Sequence, residues 1–136
     1  MENILIDAGA IISLFNKRDN YHEKAVEFIR NNSFRYCTTW PVITEVSHML
    51  DFSVLAQINL LKWIERGGLH FVDLSRDSLA RLIELSEKFS DVPMDFADAS
   101  IIVASEKINT LQVMSIDSDF YIYRNIRNQY LQNIFI

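Results

Sequence analysis

Cysteine is almost missing from this chain: Cys37 is the only one in 136 residues, so no internal disulfide can form. A chain of this length buries an adequate core without one, and a lone thiol suits a reducing compartment. Cys37 itself reads as a small buried core residue. Glycine and proline are also scarce, three and two, which leaves little length for loops and excludes a linker or low-complexity tract. No apolar run approaches the length of a bilayer span, which excludes a membrane-crossing helix. Acidic Glu2 stands where a signal peptide would carry a basic region, so the expected location is the cytoplasm. Basic excess is absent as well. The net charge of −5 speaks against a partner bound through a broad basic surface, the usual footprint of phosphate-backbone binding. That exclusion weakens if the acids are gathered around a divalent cation, which inverts the local field.

What is present is an ordinary globular composition, 49% hydrophobic and 23% charged, which fits a single domain spanning residues 1–136. Residues 3–6 form a short apolar run ended by Asp7, a pattern that predicts a buried strand. Helices are predicted over 10–16, 21–31, from Pro41 to about Leu50, and from a Ser53 cap to Gly67-Gly68. Two more are predicted, from a Ser75 cap through Phe89 and from about Met94 to Lys107. Strands are predicted over 35–39, 69–74 and 111–116, and the aromatic tail is expected to add a last short one. Strands alternating with helices give an α/β class with a central, mostly parallel sheet of four or five short strands.

Ligands of such sheets bind beyond the carboxyl ends of the strands, and Asp7 and Asp117 each directly follow a predicted strand. Glu45 lies three residues after Val42 and four before Met49, on the apolar face of its helix. Asp98 is placed in the same way, with Met94 four residues before it and Ile101 and Ile102 three and four after. An unpaired carboxylate turned toward a core costs several kcal/mol, and neither helix carries an Arg or Lys close enough in sequence to pair with it. A divalent metal would satisfy both acids. An all-carboxylate donor set suits Mg2+ or Mn2+ rather than zinc, and such a site is suited to hydrolysing a phosphodiester. Local alternatives exist. Asp7 can simply cap the following helix, Asp117 and Asp119 are ordinary turn residues, and Asp95 suits a first helical turn. His22, His48 and His70 have no metal-ligand spacing, and the tail aromatics read as core.

Four stretches together resemble the PIN-domain nucleases, and among them the VapC-type toxins of bacterial toxin–antitoxin pairs. They are Ile4–Ala10 with its strand-ending Asp7, Thr38–Glu45, Met94–Ser100 and Ser115–Phe120, in family order over nearly the whole chain. The Arg18-Asp19-Asn20-Tyr21-His22 segment is similar too. The resemblance implies a three-layer α/β/α fold and a metal-dependent endoribonuclease. Asp7, Glu45, Asp98 and Asp117 would then be the metal-binding and catalytic quartet, with Asp119 and Asp95 auxiliary. It also implies a homodimer and a small antitoxin partner. Lys17, Arg18, Arg124 and Arg127 are the basic residues expected to steer RNA. Two positions depart from the pattern: Ala8 stands where Ser or Thr often follows the first Asp, and Ser115 stands where Thr is usual.

Three other readings stay open. One is a housekeeping PIN ribonuclease without an antitoxin, and another is a PIN-like module that binds RNA or protein without cutting. The third, phosphoryl transfer to an aspartate, ranks below both, because the first strand runs into Asp7-Ala8-Gly9 rather than Asp-x-Asp, and Lys107 is no strand-end lysine.

Overall fold

Ile4, Leu5 and Ile6 follow one another with no polar residue between them, and all three are fully buried in strand β1 (Asn3–Ile6). A strand that is apolar on both faces needs cover on both, which helices on each side of a parallel sheet provide. The computed structural model describes residues 1–136 and has that layout. β1 pairs in parallel with β2 (Arg35–Thr38) and β4 (Gln112–Met114), while β3 (His70–Phe71) and β5 (Gln132–Asn133) form the edges. The order β3-β2-β1-β4-β5 is parallel throughout. Six helices flank the sheet in a three-layer α/β/α sandwich: α1 (Ala8–Phe15), α2 (His22–Asn31), α3 (Trp40–Met49), α4 (Val54–Glu65), α5 (Leu79–Lys88) and α6 (Phe96–Ile108). None of them is long and apolar enough to cross a membrane.

The topology decides where a site can form. From β1 the chain moves outward to β2 and β3 on one side, then crosses back to β4 and β5 on the other. Chain connections diverge at β1 and β4, so a crevice opens beyond their carboxyl ends. Asp7 and the Ser115–Asp117 segment sit at that point.

Several boundaries differ from the sequence expectation, each for a local reason. α1 starts at Ala8 rather than residue 10, because Asp7 directly caps it. The strand expected over 111–116 ends at Met114, because the Ser115 N–H donates to the Asn133 side chain instead of a neighbouring strand. The expected strand 69–74 is reduced to His70–Phe71, since the chain then leaves the sheet edge for a short 3-10 turn at Arg76–Ser78. That turn precedes α5, and the Ser75 side chain caps neither. α6 begins at Phe96 rather than Met94, because Asp95 occupies the cap position and accepts the Asp98 N–H at 2.7 Å. Pro41 sits in the first turn of α3, Ser53 caps α4, and Gly67 ends α4 at φ +89°, where a left-handed backbone favours glycine.

Candidate active site

β1 delivers Asp7 to the crevice with an extended backbone, and its carboxylate is fixed from both sides. One oxygen accepts the Ala10 N–H at 3.2 Å, so the capping alternative holds alongside the site position. The other accepts the Ser115 hydroxyl at 2.6 Å. Ser115 is itself clamped by β5: its N–H donates to Asn133 Oδ1 at 3.3 Å, and Asn133 Nδ2 donates to its carbonyl at 2.8 Å. The Ser115 hydroxyl also accepts the Asp117 N–H at 2.8 Å, so one side chain sets the distance between two acids. Gly9 permits this closeness. A Cβ there would lie 2.7 Å from Ile116 Cγ1, so a side chain would push α1 away from the segment that carries Asp117.

The other acids arrive on helices. α3 presents Glu45, and α6 presents Asp98 from its first turn. A buried hydroxyl bridge between Thr39 and Ser100, 2.6 Å long, ties the start of α3 to α6. Tyr123, fully buried among the tail aromatics, donates its hydroxyl to Asp98 Oδ2 at 3.0 Å. It is therefore core, as the composition of the tail suggested, and also a positioning group, which no local pattern announced. Asp117 caps the 3-10 turn Ser118–Tyr121 by accepting the Asp119 N–H at 2.9 Å, so the turn alternative holds there too.

Asp7, Glu45, Asp98 and Asp117, with Asp95, line one cleft of about 130 Å³, and no Lys, Arg or His reaches into it. The chain's ion pairs are elsewhere, between Arg81 and both Glu84 and Glu106. The carboxylates consequently stand uncompensated. Burial raises the Asp7 pKa from 3.8 to about 7 despite the Ser115 and Ala10 hydrogen bonds, with Asp117 and Glu45 adding repulsion. Asp98 is likewise pushed up to about 7, by burial and then by Asp95, with the Tyr123 bond opposing. Glu45 is raised by burial and by Asp95 and Asp117. One expectation needs correction: Glu45 and Asp98 do not face the core but are half-buried on the cleft wall, while Asp7, 5% exposed, carries the deepest burial. Heptad-like spacing located the inward faces of α3 and α6 without revealing that those faces border a cleft.

The auxiliary and basic candidates divide. Asp95 lines the cleft, whereas Asp119 does not, although burial and Asp117 raise its pKa. Lys17 and Arg18 line a separate groove beside Phe52 and Leu55. The Arg124 guanidinium is spent on the carbonyls of Tyr121, Ile122 and Tyr123 and lies 5.1 Å over the Tyr130 ring. Arg127 is exposed and reaches no acid.

As a metal site the donors fit in kind. All are hard oxygens, and their charge is unanswered by protein. No three of them are drawn close enough to clasp an ion directly. Magnesium keeps several waters and needs only one or two direct carboxylates, so a three-carboxylate cage is not required for it.

A parallel sheet with acids gathered at its switch point defines a carboxylate-centred α/β protein. The model of the PIN domain matches residues 4–125, and the chain belongs to that family. Among solved structures it is similar to VapC20 of Mycobacterium tuberculosis, a sarcin–ricin-loop-cleaving toxin. The TM-score is 0.78 at 17% identity, over 88% of this chain and 93% of that one. It is also similar to VapBC2 of Rickettsia felis bound to a DNA fragment from its promoter. There the TM-score is 0.65 at 16% identity, over 96% and 98%. At these identities the likeness is one of fold. No curated protein matches the chain.

Proposed function

We propose that the chain is a Mg2+- or Mn2+-dependent endoribonuclease, the toxin half of a toxin–antitoxin pair. The observation that carries this reading is the meeting of four acids from four separate segments in one cleft without a counter-cation. Membership of the PIN family and the VapC-like fold support it. When bound, the divalent ion supplies positive charge to the phosphodiester and makes a water easier to deprotonate. Asp7, Glu45, Asp98 and Asp117 are the residues that would hold it, directly or through its waters. Ser115 and Tyr123 keep Asp7 and Asp98 oriented by their hydrogen bonds. Glu45 is the one acid of the four with no hydrogen-bond partner in the chain, so its carboxylate is the least constrained in turning toward the ion or a water beside it. Phe52, Leu55, Ile58 and Leu61, with Met49, expose apolar surface around α4, which supports a protein partner, either a second copy or a small antitoxin.

Incubating the purified protein with a pool of structured RNA in Mg2+, Mn2+ or EDTA, beside Asp98→Asn, tests this. Cleavage abolished by both EDTA and the substitution is expected. Identical behaviour of wild type and variant under every condition would favour a non-catalytic RNA- or protein-binding module. Metal-dependent cleavage that no small co-encoded protein suppresses would favour a housekeeping nuclease.

A further inference from the structure

Beside the carboxylate cleft lies a second, larger hollow of about 610 Å³, against about 130 Å³ for the cleft. Trp40, Thr44, His48 and Phe96 line it, and Glu45 and Asp95 belong to both walls. Trp40 is 55% exposed and Phe96 58%, unusual for large aromatics. The Trp40 ring does not hang loose: one face stacks on Phe71 with centroids 3.9 Å apart and planes 10° from parallel. That fixes the indole as a flat platform at the start of α3, five residues before Glu45. Phe96 opens α6, two residues before Asp98. Each of the two helices that carry a cleft acid thus also carries an exposed aromatic beside it.

We propose that this hollow is a nucleobase subsite, in which the base next to the scissile phosphate of a single-stranded RNA segment stacks on Trp40, with Phe96 as a second apolar wall. The inference rests on the nuclease reading above and deepens it. Unpaired bases are bound by stacking on aromatic side chains, a contact that needs no positive charge, so it suits a hollow rimmed by Glu45 and Asp95. His48 supplies a ring nitrogen for the base edge, and the Thr44 hydroxyl, which donates to the Trp40 carbonyl at 3.1 Å, keeps its lone pairs to accept from it. A basic peptide would also suit aromatic and acidic groups. Such a peptide would be drawn to Glu45 and Asp95 and needs no flat apolar surface, whereas a planar base uses the whole of the fixed, exposed indole face.

Two measurements test the subsite separately from catalysis. The first is quenching of tryptophan fluorescence by a non-cleavable single-stranded oligodeoxynucleotide in Mg2+, for wild type and Trp40→Phe. The second tryptophan, Trp63, packs against Phe15 and serves as the internal control. Quenching present in wild type and lost in Trp40→Phe is expected even if no RNA is ever cut. The second measurement places an abasic residue at each position around the cleaved bond. One flanking position should lower kcat/KM about 5- to 150-fold in wild type, the range that base–aromatic stacking supports. The same lesion should have little effect in Trp40→Leu, while Trp40→Phe retains the preference. An absence of Trp40-dependent quenching would overturn the subsite. So would quenching by an arginine-rich peptide but not by the oligonucleotide, and so would an abasic scan that is flat on both sides of the cut.

Discussion

Asp7→Asn should make the ion-free protein more stable, and by an amount that depends on pH. Asp7 is 5% exposed, and burial lifts its pKa from 3.8 to about 7. A carboxyl whose pKa is raised by folding contributes full stability below its unfolded value and loses that contribution as pH climbs through its folded value. Each pH unit between the two removes about 1.4 kcal/mol, so burying the Asp7 carboxyl opposes folding by about 4 kcal/mol at pH 8 and by less than half of that at pH 5, where it folds in its protonated form. Asparagine has almost the same shape and no charge. It can still accept the Ala10 N–H, and the Ser115 hydroxyl can turn to accept from its amide. Thermal unfolding in EDTA at pH 5, 6, 7 and 8 should show a gap in favour of the variant that widens with pH and levels off above about 7. At roughly 4 °C per kcal/mol for a domain of this size, the gap reaches about 15 °C. Adding Mg2+ at a hundred times its Kd should stabilise the wild type by about 2.7 kcal/mol, read as a rise in Tm, and leave the variant nearly unmoved. Equal stability at pH 8, or a gap independent of pH, would refute the picture of an uncompensated buried carboxylate.

Three further outcomes follow from the same contacts. Tyr123→Phe removes the 3.0 Å bond to Asp98, so it should lower stability by about 1 kcal/mol and move the acidic limb of the pH–rate profile upward, read by Tm and by kcat/KM across pH. Ser115→Ala frees Asp7 and loosens the Asp117 turn, so neutral-pH cleavage should fall about tenfold or more and recover partly at higher pH, with steady-state kinetics as the check. Gly9→Ala would normally favour a helix by about 1 kcal/mol, but its Cβ meets Ile116 Cγ1, so a net loss of about 1–2 kcal/mol in urea unfolding is expected. Adding Ile116→Ala to it should recover part of that loss.

The α/β class was legible because β1 is apolar on both faces and its neighbours alternate with amphipathic helices. Asp7 was legible as a strand-end acid, Asp117 as a turn acid beyond β4, and Ser53 and Gly67 as helix boundaries, because each acts through its own local backbone. Less visible were contacts made between elements remote in sequence. Asn133 holding Ser115, Ser115 holding Asp7 and Tyr123 holding Asp98 join residues 18, 108 and 25 positions apart, and no local period encodes such pairings. The basic candidates show the same limit: charge alone gave no means of knowing that Arg124 folds back on its own carbonyls or that Lys17 and Arg18 line a different groove.

By itself the sequence determined the α/β architecture with a mostly parallel sheet, the order of its elements and which acids lie where the sheet opens, because hydrophobic period and residue type act over a few neighbours. The tertiary structure decided which acid is most buried, which hydroxyls hold the carboxylates, and that Trp40 and Phe96 stand exposed beside them. Those properties arise where β1 and β4 part and segments remote in sequence meet. There, burial and repulsion depend on distances that only the folded chain sets.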